Sequence, residues 1–90
     1  MSDPAAVEKL RENFERLKKI IQAEEMWERV PADYQEFSPD NLREMVKFAY
    51  FGGFIDVAQV REFLGLKRGE FRKLLPQWYE EVRQKGCWLC

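Results

Sequence analysis

Arg61, Lys67, Arg68, Arg72 and Lys73 crowd a short stretch around Gly65, and they are the side chains best equipped for chemistry in this chain. Guanidinium and ammonium groups bind phosphate oxygens, and an arginine can also fork onto the edge of a guanine base. Gly69, among these cations, would let backbone amides approach a phosphate closely. The competing reading is that the cations only solvate an outward helix face, with Glu62 and Glu70 partly neutralising them. A second candidate group is the terminal CxxC formed by Cys87 and Cys90. Two thiolates make half of a tetrahedral zinc site, so a metal there would require a second chain or another ligand. Inert or structural thiols come first among the readings of this pair. A disulfide comes second, inter-chain zinc third, and prenylation of Cys87 last. No other metal site and no cofactor is expected. The chain has no histidine, which removes imidazole bases, imidazole ligands and every histidine-dependent dyad. Without a phosphate loop or a metal motif either, no catalytic residue can be nominated, and the chain is not expected to be an enzyme.

The elements that must position these groups are helices. Val7, Leu10, Phe14, Leu17 and Ile21 step by three and four along the N-terminal segment, a heptad seam widened by Ile20 and Trp27. Ser2 or Asp3 can cap this helix and Pro4 suits its first turn, while no breaker follows until Pro31. A long amphipathic helix over residues 1–30 is the expectation. Its seam either packs on its own domain or pairs with another chain. After a polar-aromatic connector, Ser38-Pro39-Asp40 starts a second helix with Leu42, Met45, Val46, Ala49 and Tyr50 on one face. Gly52-Gly53 ends it. Asp56 caps a third helix, Gly65 closes it, and a fourth begins near Lys67 or Arg68. Pro76 lacks the amide a continuing helix needs, so a kink or a fifth helix is expected there. The architecture is therefore all-α, a single domain of four to five helices, with the compact part over residues 38–86.

Residues 56–75 read as helix, tight turn, helix. Val57, Val60, Phe63 and Leu64 precede the glycine at helical spacing; Leu66, Phe71, Leu74 and Leu75 follow it. This pattern resembles the helix-turn-helix superfamily, in which a left-handed glycine allows two helices to cross and the second enters the major groove. Gly65 and Leu66 match, as do Val60, Phe71 and Leu74 at their offsets. Arg61 stands where the superfamily favours alanine, and Lys67 where it favours a capping Ser or Thr. The segment MVKFAYFGGFIDVAQVREFLGLKRGEFRKLL, about residues 45–75, further resembles small prokaryotic antitoxins paired with PIN-domain toxins, through Glu70-Phe71 followed by Leu74-Leu75. That resemblance implies DNA binding by Lys67, Arg68, Gly69, Arg72 and Lys73, with Arg61 a backbone contact, and a protein partner elsewhere.

Composition frames these expectations. Ninety residues with 46% hydrophobic and 14% aromatic content supply one small core. No apolar run approaches the roughly 20 residues of a membrane span, and a soluble cytoplasmic protein is expected. Residues 1–40 carry six Lys/Arg against ten Asp/Glu, whereas residues 41–90 carry nine against six. The expected function is a small dimeric DNA-binding regulator. The alternative is a protein–protein interaction module. It would use an acidic N-terminal helix, with Leu10, Phe14, Leu17, Ile21 and Trp27 meeting a partner or a second copy. Met26, Tyr34 and Phe37 would extend its aromatic surface.

Overall fold

The computed structural model describes residues 4–87 and 89. Ser2 and Asp3, the expected caps of the first helix, lie outside the described residues, as does Cys90. The fold is all-helical, with no strand among the described residues: α1 (Pro4–Ala23), α2 (Pro39–Phe51), α3 (Val57–Leu64) and α4 (Arg68–Lys85). Two short 3₁₀ turns, Trp27–Arg29 and Ala32–Tyr34, punctuate the connector between α1 and α2.

The first helix stops at Ala23 instead of reaching position 30. Its end is built without glycine or proline. Glu25 takes the left-handed φ of 59°, its N–H bonds to the Gln22 carbonyl at 3.0 Å, and the Met26 N–H bonds to the Ile21 carbonyl at 3.1 Å. These two bonds make a Schellman cap around a residue with a Cβ. The shorter helix changes the distribution of charge. Within Pro4–Ala23 there are five Lys/Arg against three Asp/Glu, so the helix itself is basic. The acidity expected of it sits in the connector and the first turn of α2, where Glu24, Glu25, Glu28, Asp33, Glu36 and Asp40 face a single Arg29.

α2 forms the centre of the molecule. Leu42, Met45, Val46, Phe48 and Ala49 are all buried, more than the single apolar face its periodicity predicts. Phe14, Leu17 and Ile21 of α1 complete the core with Val60 and Phe63 of α3, and with Phe71 and Trp78 of α4. The seam of α1 therefore packs on its own domain. The expected caps form. Ser38 Oγ accepts from the Asn41 N–H at 3.0 Å, and Asp56 and Gln59 exchange side-chain and backbone bonds at 2.8 and 3.0 Å. Met26, Trp27, Tyr34 and Phe37 pack against the core as partly buried side chains, with Phe37 edge-on to Phe14 at 5.6 Å.

Pro76 neither breaks α4 nor starts a new element; the helix runs through it from Arg68 to Lys85. Proline there removes one bond, to the Arg72 carbonyl, and its ring is exposed on the outer face. Beyond Gly86 the chain turns back onto α2, where Leu89 is buried. A Cβ on Gly52 would stand 2.5 Å from the Leu89 carbonyl oxygen, so glycine at this position is what lets the C-terminal segment approach.

Candidate nucleic-acid interface

The turn between α3 and α4 is set by Gly65, whose φ of 65° and ψ of 36° place it in the left-handed region. The Leu66 N–H bonds to the Arg61 carbonyl at 2.9 Å, while the Arg61 Nε donates to the Leu66 carbonyl at 3.3 Å. Arg61 thus clasps the turn from both sides, which explains an arginine where a close helix crossing would favour alanine. The half-buried side chain braces the turn through its Nε. α4 then leaves the turn without folding back along α3.

The start of α4 solves its missing Ser or Thr cap differently. The Glu70 carboxylate reaches back to accept the Lys67 N–H at 3.0 Å, supplying one arm of a capping box and a negative charge at the positive end of the helix. The other acid expected to neutralise this surface, Glu62, pairs with Arg16 of α1 at 2.9 Å. Lys67, Arg68, Arg72 and Lys73 are exposed. No ion pair among the described residues engages any of them. Gly69 is exposed too, and nothing lies within 4 Å of where its Cβ would be. The fold does not demand glycine there, although glycine in a helix costs up to about 1 kcal/mol relative to alanine. The bare backbone at Gly69 leaves space for close approach, beside a first turn whose dipole the Glu70 carboxylate already complements.

Two anchors hold α4 against α2. Phe71 and Trp78 are buried with their rings 5.9 Å apart at 89°, and Tyr50 of α2 meets Phe71 edge-on at 5.6 Å. The second anchor is ionic. Lys47, 1% exposed, lies 2.7 Å from Glu44 and 2.6 Å from Glu81 of α4. Burial pulls the ammonium down, but the hydrogen bonds and charges of the two carboxylates outweigh it and leave Lys47 above its ordinary value. The Lys47 hydrogen bond in turn holds Glu81 below the usual carboxylate range. Sequence reasoning missed this lysine; its one visible signal is a cation inside the apolar run Met45-Val46-Lys47-Phe48-Ala49. It also missed Asn13, buried between seam positions of α1, whose Nδ2 donates to the Phe63 carbonyl at the end of α3 at 3.0 Å.

Among the five residues expected to meet a protein partner, Phe14, Leu17 and Ile21 are 2% exposed or less. They belong to the core and cannot touch any partner of the folded chain. Leu10 and Trp27 are half-buried. Leu10 lines an open groove of about 410 Å³ with Leu42, Leu64, Leu66 and Leu74. Cys87 is disulfide-bonded, which corrects the first-ranked expectation of inert thiols and removes the thiolate a zinc ion would need. Among the described residues no cluster of metal-ligating side chains occurs, and no helix is long and apolar enough to cross a membrane. No protein-family model matches this chain, and neither a curated protein nor a solved structure is significantly similar to it.

Proposed function

We propose that this protein is a small DNA-binding regulator that inserts the first two turns of α4 into a duplex groove. What carries the reading is the set of exposed, unpaired cations Lys67, Arg68, Arg72 and Lys73 around the bare Gly69. Of the two nearby acids, Glu62 is paired with Arg16, while Glu70 is held by its own helix cap and keeps its charge in the first turn of α4. Lys67 and Lys73 serve phosphates as point charges, and the planar guanidinium of Arg68 or Arg72 can discriminate guanine. One short helix gives weak binding, so the protein acts as a dimer on two half-sites. An antitoxin-like role is a finer version of the same proposal and adds a nuclease partner.

Changing Arg68 and Arg72 together to alanine tests it, read by anisotropy against labelled mixed-sequence duplex over a salt series. The double variant should bind at least about tenfold more weakly, with a salt dependence shallower by roughly one for each phosphate left unneutralised. Both residues are exposed, so the thermal unfolding curve should not move. Changing Arg11 of α1, which packs over Phe37 away from this surface, should leave duplex affinity intact. Unaltered binding in the Arg68/Arg72 variant would remove the reading. The second reading, a protein-interaction module, draws on the leucine-lined groove at Leu10.

A further inference from the structure

Tyr79 is 57% exposed, more than any other large hydrophobic side chain described. It is nevertheless held in place. Its ring meets Phe51 edge-on at 5.0 Å, Phe51 meets Tyr50 at 5.3 Å, and Tyr50 meets Phe71 of the core at 5.6 Å. A chain of rings thus fixes a tyrosine whose remaining surface faces solvent. Along α4 the exposed residues Arg68, Arg72, Tyr79 and Arg83 step by four, seven and four, which puts them on one stripe of the helix. An oriented aromatic ring bracketed by guanidinium groups is the arrangement that stacks a base while its flanking phosphates are neutralised.

We infer that Tyr79 is a stacking platform for an unpaired nucleobase, an inference that rests on the reading of α4 as a nucleic-acid-binding helix. The base must be unpaired for a geometric reason. In an intact duplex both faces of every base are covered by its neighbours, and only edges are presented in the grooves. Tyr79 also lies roughly 10 Å along the helix axis from Arg72, at 1.5 Å per residue. It is therefore carried beyond the turns that would lie in the groove. A strand leaving the duplex, or a wholly single-stranded ligand, can lay a base on the free surface of the ring. Arg72 and Arg83 then meet the phosphates on either side. The Arg83 guanidinium is 80% exposed and lies 3.7 Å from Glu80, a loose pairing that a phosphate can displace.

The test uses the full chain with a short fluorescein-labelled oligothymidylate and, separately, a blunt duplex at the same low salt. Tyr79→Ala should weaken the single strand by about tenfold, the loss expected for one stacked base. Tyr79→Phe should stay within about twofold of the parent, since a phenyl ring stacks as well. Duplex affinity should not change in either variant. An oligothymidylate affinity unmoved by Tyr79→Ala overturns the inference. A loss in Tyr79→Phe equal to that in Tyr79→Ala also overturns it, because the hydroxyl and not the ring would then matter. Failure of the Arg68/Arg72 variant to lose duplex affinity bears on the groove reading alone, so the two failures are separable.

Discussion

The helices α1 and α4 are close to equivalent as sequences. Both are amphipathic, and each carries five Lys/Arg against three Asp/Glu. Their cations nevertheless have different partners. In α1 the Arg11 guanidinium lies 5.0 Å over Phe37, Arg16 lies 5.1 Å over Phe63 while pairing with Glu62, and the Lys18 ammonium lies 5.2 Å over Trp27. In α4 no such contact engages Lys73, Arg72 or Arg68 among the described residues. Each ring contact is worth about 0.5–1 kcal/mol at a partly exposed site, which α1 would forfeit to bind a phosphate. Arg68, Arg72 and Lys73 of α4 have no such contact to give up. Charge count alone therefore does not separate the two helices, whereas the partners of Arg11, Arg16 and Lys18 do.

The comparison breaks most sharply at the apolar seam of α1. If that seam is core, Leu17→Ala should cost about 2–5 kcal/mol, the range for truncating a fully buried leucine. Urea unfolding would read it as a lower midpoint with the same slope. Leu10→Ala, at a half-buried position, should cost clearly less. A Leu17→Ala variant that kept its stability but no longer dimerised in sedimentation would instead make α1 the interface. That outcome would return the N-terminal helix to partner binding.

The attachment of α4 offers a smaller effect with a definite pH signature. Glu81 is held below its ordinary value of 4.5. Its contribution to stability is therefore complete above that pH and fades as pH falls through the lower folded value. Lys47 is held above its ordinary value of 10.5, so its contribution is complete below that pH and fades as pH rises through the folded value. Between the two, the Glu44–Lys47–Glu81 cluster should contribute a plateau. Glu81→Gln should lower stability on that plateau by about 1 kcal/mol, since its side chain is one-third exposed and solvent screens the pair. In the same variant the acid-side decline should flatten. A thermal-melt series from pH 3 to pH 11 would show both. An unchanged acid limb would mean that other carboxylates govern acid unfolding.

Local signals that act through one or two residues were legible in the chain. Ser38, Asp56 and Gly65 mark helix ends because a side-chain cap or a left-handed φ requires those residue types, and the structure uses each as expected. The end of α1 was not legible, because Glu25 adopts a glycine conformation that its side chain disfavours. Nothing in the composition announces a left-handed residue there. Pro76 misled in the opposite sense. A proline on the solvent face of a helix pinned by Phe71 and Trp78 loses one hydrogen bond and is tolerated. At the candidate interface, the positions of the cations were legible but their partners were not. That Glu62 reaches α1, and that Arg61 turns back on Leu66, depends on which elements meet in space.

The finest test of the comparison is Arg16 itself. Its pair with Glu62 is exposed on both sides, with side chains 52% and 57% accessible, and such pairs contribute at most about 1 kcal/mol. Glu62→Gln should therefore shift stability only slightly, and Arg16→Ala slightly more, because the alanine also gives up the contact with Phe63. A double-mutant cycle of the two would isolate the ionic component. That component should shrink in high salt while the ring contact persists, since screening acts on solvent-exposed charges. The cycle would thus measure how much of the hold on an α1 cation comes from carboxylate and how much from ring. If the coupling were nil and the Arg16→Ala cost also vanished, Arg16 would be as unengaged as Arg68. The distinction between the two helices would then have to rest on Arg11 and Lys18 alone.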